Sequence, residues 1–562
     1  WSFSSNKSVE CYRAEKTAEV VPLIGRAERD AMAGKWVAVM LSYEAAPAFD
    51  PALKTHSTTD FPLAWAAVFD GPTTPASEIE QTERSSVDLS PGIAREDYYA
   101  AIARIRDWIA QGDTYQVNFT FPFTAQLTGD PLELYETLCL AQEAEYTAFL
   151  DLGDYQVLSI SPELFFERHG EQIRTRPMKG TIRRGRWTAE DQEMAERLKR
   201  SAKDRAENVM IVDLLRNDLG KICKPGSVNV ERLFELERYP TLWQLTSTVE
   251  GTLRPNTSLT EVIAALFPCG SITGAPKIRT MEIIRELEKS PRNVYTGAIG
   301  LIRPGSDCIF NVAIRTLVVE ANTGRVQFGV GGGITYDSNA ESEYQECLLK
   351  SSFLETRRPR FRLLESILAD DGQLFLLDRH IARLYSSAEY FGFDFSEQRV
   401  LSELQDALRL HANGSYKIRL LLSREGQTQV EVLPLEDIEE PVRAGLASKA
   451  VDSNDPFLFH KTTNRLAYDS ARTATPCCNE TVYWNERGEI TESTRCNVVV
   501  EIDGELCTPP QTSGLLAGTF REELLERGEI RERVITIEGL RGVKEFFLIN
   551  SVRRWMRASL IE

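Results

Sequence analysis

No stretch of this sequence approaches the ~18 consecutive apolar residues that a spanning helix requires, which excludes a helical membrane protein. There is no C-x-x-C, and the ten cysteines are scattered with only Cys477 and Cys478 adjacent. A zinc site and a disulfide frame are therefore excluded, and the expectation is buried thiols in a reducing cytoplasm. Basic residues are in deficit: 65 Lys and Arg stand against 83 Asp and Glu, a net charge of −18. That balance excludes a general nucleic-acid coat and a polybasic membrane anchor. It leaves room for an anionic small substrate, because a few arginines in a cleft outweigh a distant acidic surface. Internal repeats and low-complexity tracts are absent, and no apolar h-region follows the charged opening (Lys7, Glu10, Arg13, Glu15, Lys16). The chain begins at Trp1 rather than Met, so its natural start is expected upstream. What is there is globular: 42% of the 562 residues are hydrophobic and 26% charged, enough to bury more than one core.

The pattern along the chain is mixed. Short strand-like runs (Trp36 to Ser42, Leu63 to Phe69) precede Pro91-Gly92. Tyr99, Ile102, Ile105 and Ile109 then recur at helical spacing until Gly112. Strands rich in Val, Phe and Ile alternate with helices up to the charged, proline-containing Glu355-Thr-Arg-Arg-Pro-Arg360, after which a new strand-like run starts at Phe361. Hairpin-like strands with intervening helices predict α+β rather than a regularly wound parallel sheet.

Three places put charge where the apolar pattern predicts interior. Glu207 shares one helical face with Met210, Ile211 and Leu214, so it needs a partner or a metal. Glu343, Glu346 and Lys350 share another face, just after Gly331-Gly332-Gly333. Carboxylates from two helices are hard ligands of the kind Mg²⁺ takes, although a Glu–Lys pair at i,i+4 alone is usually a solvated pair. Ser161-Pro162-Glu163 precedes Met178-Lys179-Gly180, where a lysine before a turn is by itself unremarked.

Together these stretches resemble the chorismate-utilising enzymes. The motifs are Gly112 through Asn118, Ser161-Pro162-Glu163, Asp204 through Asp218, Gly270 through Lys277, Tyr295 through Gly300, Asn311 through Thr316, and Gly331 through Glu346, in family order. The resemblance implies that Glu207 and Glu346 bind Mg²⁺, with Glu343 helping directly or through water. It implies that Thr273, Tyr295, Arg315, Lys350 and the backbone at Gly331 and Gly333 hold the chorismate carboxylates. Members that make anthranilate carry Ala where this chain has Lys179, whereas the aminodeoxychorismate branch carries Lys. In that branch the lysine amine attacks C2 and ammonia then enters at C4, with an acid, here Glu163 at a raised pKa, protonating the departing hydroxyl. Nothing in the chain resembles a glutamine amidotransferase, so ammonia is expected from a separate glutaminase subunit.

After the seam come Leu377 through Leu384, His460-Lys461-Thr-Thr-Asn-Arg465, Gly488 through Asn497, and Gly514 through Arg521. Free amides where Thr519 opens a helix make a phosphate seat. A lysine, an acid and a phosphate seat in that order resemble the fold-type IV pyridoxal-phosphate enzymes. This second resemblance implies Lys461 as the Schiff-base lysine, Glu492 against the pyridine nitrogen, and Arg383 with the amides around Thr519 and Phe520 on the phosphate. The implied architecture is α+β, with antiparallel sheets in a sandwich flanked by helices, then a two-subdomain α/β fold-type IV domain. Its expected parts are residues 1–92 and 93–355 of the chorismate-binding half, a linker at 356–360, and 361–562. The implied activity is chorismate amination followed by pyridoxal 5'-phosphate-dependent pyruvate elimination to p-aminobenzoate, with no nucleic acid or membrane partner and a homodimer through the C-terminal domain. Two alternatives stay open: an anthranilate-type aminase fused to a true aminotransferase, and a non-catalytic chorismate- or partner-binding scaffold.

Overall fold

The computed structural model describes residues 10–58, 60–73, 85–354, 360–409, 411, 413–472 and 478–561. Residues 356–359 of the expected linker, and Cys477, lie outside the described residues. The chain forms two compact units. The first runs to Arg183 and resumes at Ala195; the second joins Arg184–Met194 to the chain beyond the seam.

In the first unit two sheets, of ten and eight strands, pair antiparallel throughout their registers. Strand alternation decides what each face meets. In Trp36–Leu41, Val37, Val39 and Leu41 turn to a helix-covered core, while Met40 turns to a core shared with the other sheet. Trp65 and Ala67 join Met40 there, opposite Leu150, Val157 and Val318. On the far side of the second sheet, Val117, Phe119, Phe121 and Phe123 of the long strand Gln116–Thr128 pack under helices Arg95–Ala110, Pro131–Gln142 and Ala340–Ser351. The opposite parity, Gln116, Asn118 and Thr120, is buried but polar.

The second unit holds a four-stranded sheet (Leu363–Asp370, Gln373–Leu374, Ser415–Leu422, Thr428–Pro434) and an eight-stranded one that mixes parallel and antiparallel pairs. Arg184–Met194 is built into it. Arg184 is buried in an ion pair with Asp191 at 2.6 Å and donates to the Tyr390 carbonyl at 3.0 Å. The Tyr390 hydroxyl donates back to the Gly185 carbonyl at 2.6 Å, and Trp187 packs on Phe459. No helix among the described residues is long and apolar enough to cross a membrane. The cysteines described are all free thiols.

Candidate active sites

Strand Gln116–Thr128 pairs along its length with Arg325–Ile334, which ends in the glycine tract. The tract is bare because its surroundings leave no room. A Cβ on Gly333 would lie 2.0 Å from Gln116 Nε2 and 3.0 Å from Lys179 Nζ, and one on Gly332 would lie 3.3 Å from Glu343 Oε2 and 4.0 Å from Lys350 Nζ. Lys179 comes from strand Met178–Arg183, and the next residue, Gly180, at φ +91°, allows close approach to Asp204 on helix Ala202–Gly220, which carries Glu207. The structure thus draws Gln116, Lys179, Glu343 and Lys350 around residues 332–333, with Glu207 and Glu346 in electrostatic reach of Lys179.

The electrostatics are uneven. Burial pushes the Lys179 amine down, with Glu207 pulling the other way and Lys350 reinforcing burial. Glu163 is 3% exposed, and burial pushes its carboxyl up to about 7 despite the Ser271 hydroxyl, which donates to it at 2.7 Å, and the opposing pull of Lys179. Lys350 pairs with Glu346 at 2.8 Å and donates to the Gly331 carbonyl at 2.9 Å. That pairing holds Glu346 low, whereas burial raises Glu207 and Glu343, each helped by an acidic neighbour. Among the described residues no three acidic, histidine or cysteine side chains are gathered closely enough to hold a metal ion. The donor chemistry nonetheless fits a hard divalent cation: three carboxylates from two helices, with Glu343 in electrostatic reach of both Glu207 and Glu346, and Glu207 and Glu343 raised by burial and by acidic neighbours.

The remaining residues singled out in the sequence lie around this cluster in different ways. Thr273 turns its hydroxyl back to the Cys269 carbonyl at 3.1 Å, while its own carbonyl accepts from the Asn118 amide at 2.8 Å. Arg315 has left-handed backbone (φ +48°), donates to Gln142 Oε1 at 3.1 Å and pairs with no carboxylate among the described residues. A half-buried guanidinium left without a counter-ion suits an incoming carboxylate. Tyr295 packs on Gly329 and lines a separate cavity of about 310 Å³ that includes none of Glu163, Lys179, Glu207 and Glu346. At its wall Glu288 accepts from the Thr120 amide and hydroxyl, and Arg292 donates to the Ile272 and Asn118 carbonyls. These bonds tie the Thr273 loop to the long strand.

Two residues of this site escaped the sequence reading. Gln116 is fully buried with neither amide atom hydrogen-bonded, beside Lys179. Its signal was parity, since it continues the polar row Asn118 and Thr120. Ser271 had no signal beyond lying in a matched motif.

In the second unit Lys461 lines a cavity of about 750 Å³ with Glu492, Arg383, Thr519 and Gly518. Burial and Arg383 lower the Lys461 amine to about 8. Glu492 is buried and pushed up to about 7, although the Tyr468 hydroxyl donates to it at 2.5 Å and the Leu516 amide at 3.2 Å. Arg383 donates to both oxygens of Glu365 (2.9 and 2.7 Å) and to the Ala517 carbonyl at 3.2 Å. Glu365 also pairs with His380, whose Nε2 lies 3.3 Å from the Thr519 hydroxyl. The helix Thr519–Glu526 opens at Gly518, where a Cβ would strike Asn497 Oδ1 at 2.2 Å. Phe520 offers its amide to that opening while its ring packs on Phe375 and Trp555. A half-buried amine, a buried acid and a helix opening beside Arg383 fit a phosphate-bearing aldehyde cofactor. Tyr468 was missed for want of any signal; Glu365 shares the inward parity of Leu363 and Ile367 and was legible.

The amino-transferase class IV family matches residues 362–561. Aminodeoxychorismate synthase component 1 of Salmonella typhimurium is 44% identical over 254 residues, 45% of this chain and 56% of that protein. Anthranilate synthase component 1 of Lactococcus lactis is 37% identical over 278 residues, 50% of this chain and 60% of that protein. The chain thus spans little more than half the length of these curated relatives. The crystal structure of anthranilate synthase component I from Streptococcus pneumoniae superposes with a TM-score of 0.53 at 29% identity, covering 57% of this chain and 81% of that one. The chorismate binding enzyme family matches residues 2–356, well over half of the sequence, and to that family the chain belongs.

Proposed function

We propose that the first unit aminates chorismate to 4-amino-4-deoxychorismate and that the second eliminates pyruvate from it to give p-aminobenzoate. The observation that carries the reading is Lys179: a half-buried amine with a lowered pKa beside the unpaired amide of Gln116 and in electrostatic reach of Glu163. The likeness to aminodeoxychorismate synthase component 1 supports it.

In the first unit Lys179 Nζ bonds to C2 of chorismate. The ring double bonds shift, the C4–O bond breaks, and the hydroxyl leaves as water with the proton of Glu163. Ammonia then bonds to C4, the double bonds shift back, the C2–N bond to Lys179 breaks, and Glu163 regains a proton. The sum is chorismate and ammonia to aminodeoxychorismate and water. A carboxyl that titrates near 7 is protonated often enough to serve as that acid. Arg315 and Lys350 supply cationic partners for the two carboxylates. Glu207, Glu343 and Glu346 would hold Mg²⁺, which when bound supplies counter-charge for a substrate carboxylate. Ammonia comes from a glutamine amidotransferase subunit, in keeping with the two-component naming of the relatives.

The class IV aminotransferase match implies pyridoxal phosphate, which when bound supplies an electron sink. Arg383, positioned by Glu365, and the amides of Thr519 and Phe520 would hold its phosphate. Lys461 Nζ, near neutral pH partly unprotonated, removes the C4 proton of the substrate, after which pyruvate leaves from C3 and the ring aromatises. Glu492, oriented by Tyr468, would sit against the ring nitrogen of the cofactor and keep it protonated.

The test is product identification from chorismate, Mg²⁺ and ammonium salt, with and without pyridoxal phosphate. Wild type should give p-aminobenzoate and pyruvate with the cofactor and aminodeoxychorismate without it. Lys179→Ala should lose aminodeoxychorismate and retain at most direct amination at C2. Near-normal aminodeoxychorismate from that variant, or anthranilate from wild type, would overturn the assignment.

A further inference from the structure

The wall of the Lys461 cavity is strongly cationic in a chain whose net charge is −18. Eight Lys and Arg line it against four Asp and Glu. Several of these cations are already spent: Arg383 on Glu365, Arg419 on Glu431 at 2.9 Å, and Arg465 on the Thr494 carbonyl at 2.5 Å. Lys417, Arg472, Arg495 and Arg553 are not, and of these Arg495 and Arg553 lie within electrostatic reach of Lys417. None of the three in that cluster pairs with a carboxylate among the described residues.

They arrive from separate elements. Lys417 stands on strand Ser415–Leu422 of the four-stranded sheet; Arg495 sits in the turn between strands Ile490–Ser493 and Asn497–Ile502; Arg553 follows strand Phe546–Asn550. Lys417 and Arg553 are half-buried, so their charges are partly stripped of water. Burial lowers the Lys417 amine, and Arg495, Arg419 and Arg553 lower it further, with Glu436 the acidic group that opposes them. Glu480 faces Arg495 without reaching it: one carboxylate oxygen is buried with no hydrogen-bond partner, and the group is raised by burial. Holding three like charges together on one wall costs folding energy, and arrangements of this kind are kept where an anion repays them.

We propose that Lys417, Arg495 and Arg553 form the recognition site for a doubly charged dicarboxylate amine in the Lys461 cavity, and so select it over ordinary monocarboxylate amino acids. The inference rests on the reading that an amine substrate meets Lys461 there. Arg383 and the opening of helix Thr519–Glu526 serve the phosphate end, which leaves the cations clustered around Lys417 for the substrate's carboxylates. Aminodeoxychorismate carries two carboxylates, one on the ring and one on the enolpyruvyl group.

The experiment uses the full chain with pyridoxal phosphate bound, and follows the visible absorbance of the cofactor, a reporter of this cavity alone. Isophthalate and benzoate are titrated as unreactive di- and monocarboxylate probes. Wild type should bind isophthalate at least about tenfold more tightly, since a charge-assisted contact to one extra carboxylate is worth that much. Arg553→Gln and Lys417→Met should each remove most of that advantage without losing the cofactor band, and Arg553→Lys should restore part of it. In steady state the same variants should raise KM for aminodeoxychorismate more than they lower kcat. Equal binding of the two probes to wild type would overturn the inference even if pyruvate is released normally. Loss of the cofactor from the variants would also overturn it, by assigning the cluster to the phosphate. A preference for isophthalate that vanishes in the variants upholds the inference, and if pyruvate release is then absent it is the elimination reading that fails.

Discussion

The hydroxyl of Ser271 donates to Glu163 Oε1 at 2.7 Å, two buried side chains joined across 108 positions of sequence. The bond favours the ionised carboxylate, yet burial outweighs it and the group titrates near 7. Because the proposed step needs Glu163 protonated, the rate of aminodeoxychorismate formation should fall as pH rises through about 7. Ser271→Ala removes a bond to the charged form, so the alkaline limb should move up by about one pH unit. Glu163→Gln should abolish the limb together with most of the activity. An unmoved limb in Ser271→Ala would show that another group titrates there.

The same carboxyl gives a stability effect of definite sign. Glu163 rises from an ordinary 4.5 to about 7 on folding, so between those values the folded chain binds more protons than the unfolded one. Its contribution to stability is present below pH 4.5 and is lost as pH rises to about 7. Comparing the denaturation midpoints of wild type and Glu163→Gln across that window checks it: the midpoint difference between the two should change with pH only there.

Glu207 and Glu346 stand on helices Ala202–Gly220 and Ala340–Ser351, with Lys179 in electrostatic reach of both. Glu207→Gln should lower Mg²⁺ affinity by tenfold or more in a titration of the first reaction. It should leave pyruvate release from supplied aminodeoxychorismate unchanged. Removing Mg²⁺ with a chelator should act on wild type in the same selective way. An unaltered magnesium requirement in Glu207→Gln would dismiss the ligand assignment.

Tyr468 donates to Glu492 at 2.5 Å inside the second cavity. Tyr468→Phe removes a bond that stabilises the carboxylate, so Glu492 should hold its proton to higher pH. The visible band of the bound cofactor should titrate differently in the variant, and kcat for pyruvate release should fall by about tenfold. A variant with the wild-type spectrum and rate would leave Tyr468 a packing residue.

Arg184 and Asp191 form a buried pair within the second unit, next to Tyr390, whose ring lies 4.3 Å from that of His460. His460 precedes Lys461 and is kept neutral by burial, its pKa near 3. Asp191→Ala removes the carboxylate from a buried ion pair, which costs about 3–5 kcal/mol. The thermal midpoint of cofactor loss should drop by several degrees. A fragment beginning at residue 361 lacks the segment altogether and should bind the cofactor more weakly than the full chain. Equal affinity in the two would show that Arg184–Met194 is dispensable.

The sequence by itself determined the element pattern, the family and most of the chemical inventory. Alternation in Trp36–Leu41 and helical spacing around Glu207 and Glu346 are local periodicities, written in a few consecutive residues. Lys179 and Lys461 were legible because motifs around them are contiguous. What only the tertiary structure decided are relations between distant segments. Gln116 and Lys179 share the space left by a missing Cβ at Gly333, and Ser271 meets Glu163. Arg184–Met194 completes the second unit although it lies within the sequence of the first family match. Lys417, Arg495 and Arg553, on separate elements, line one wall with no carboxylate partner among the described residues. Periodicity states which side of an element faces inward. What it meets there, and whether a buried charge finds a counter-charge or is left to attract one, depends on close packing of segments that no local pattern relates.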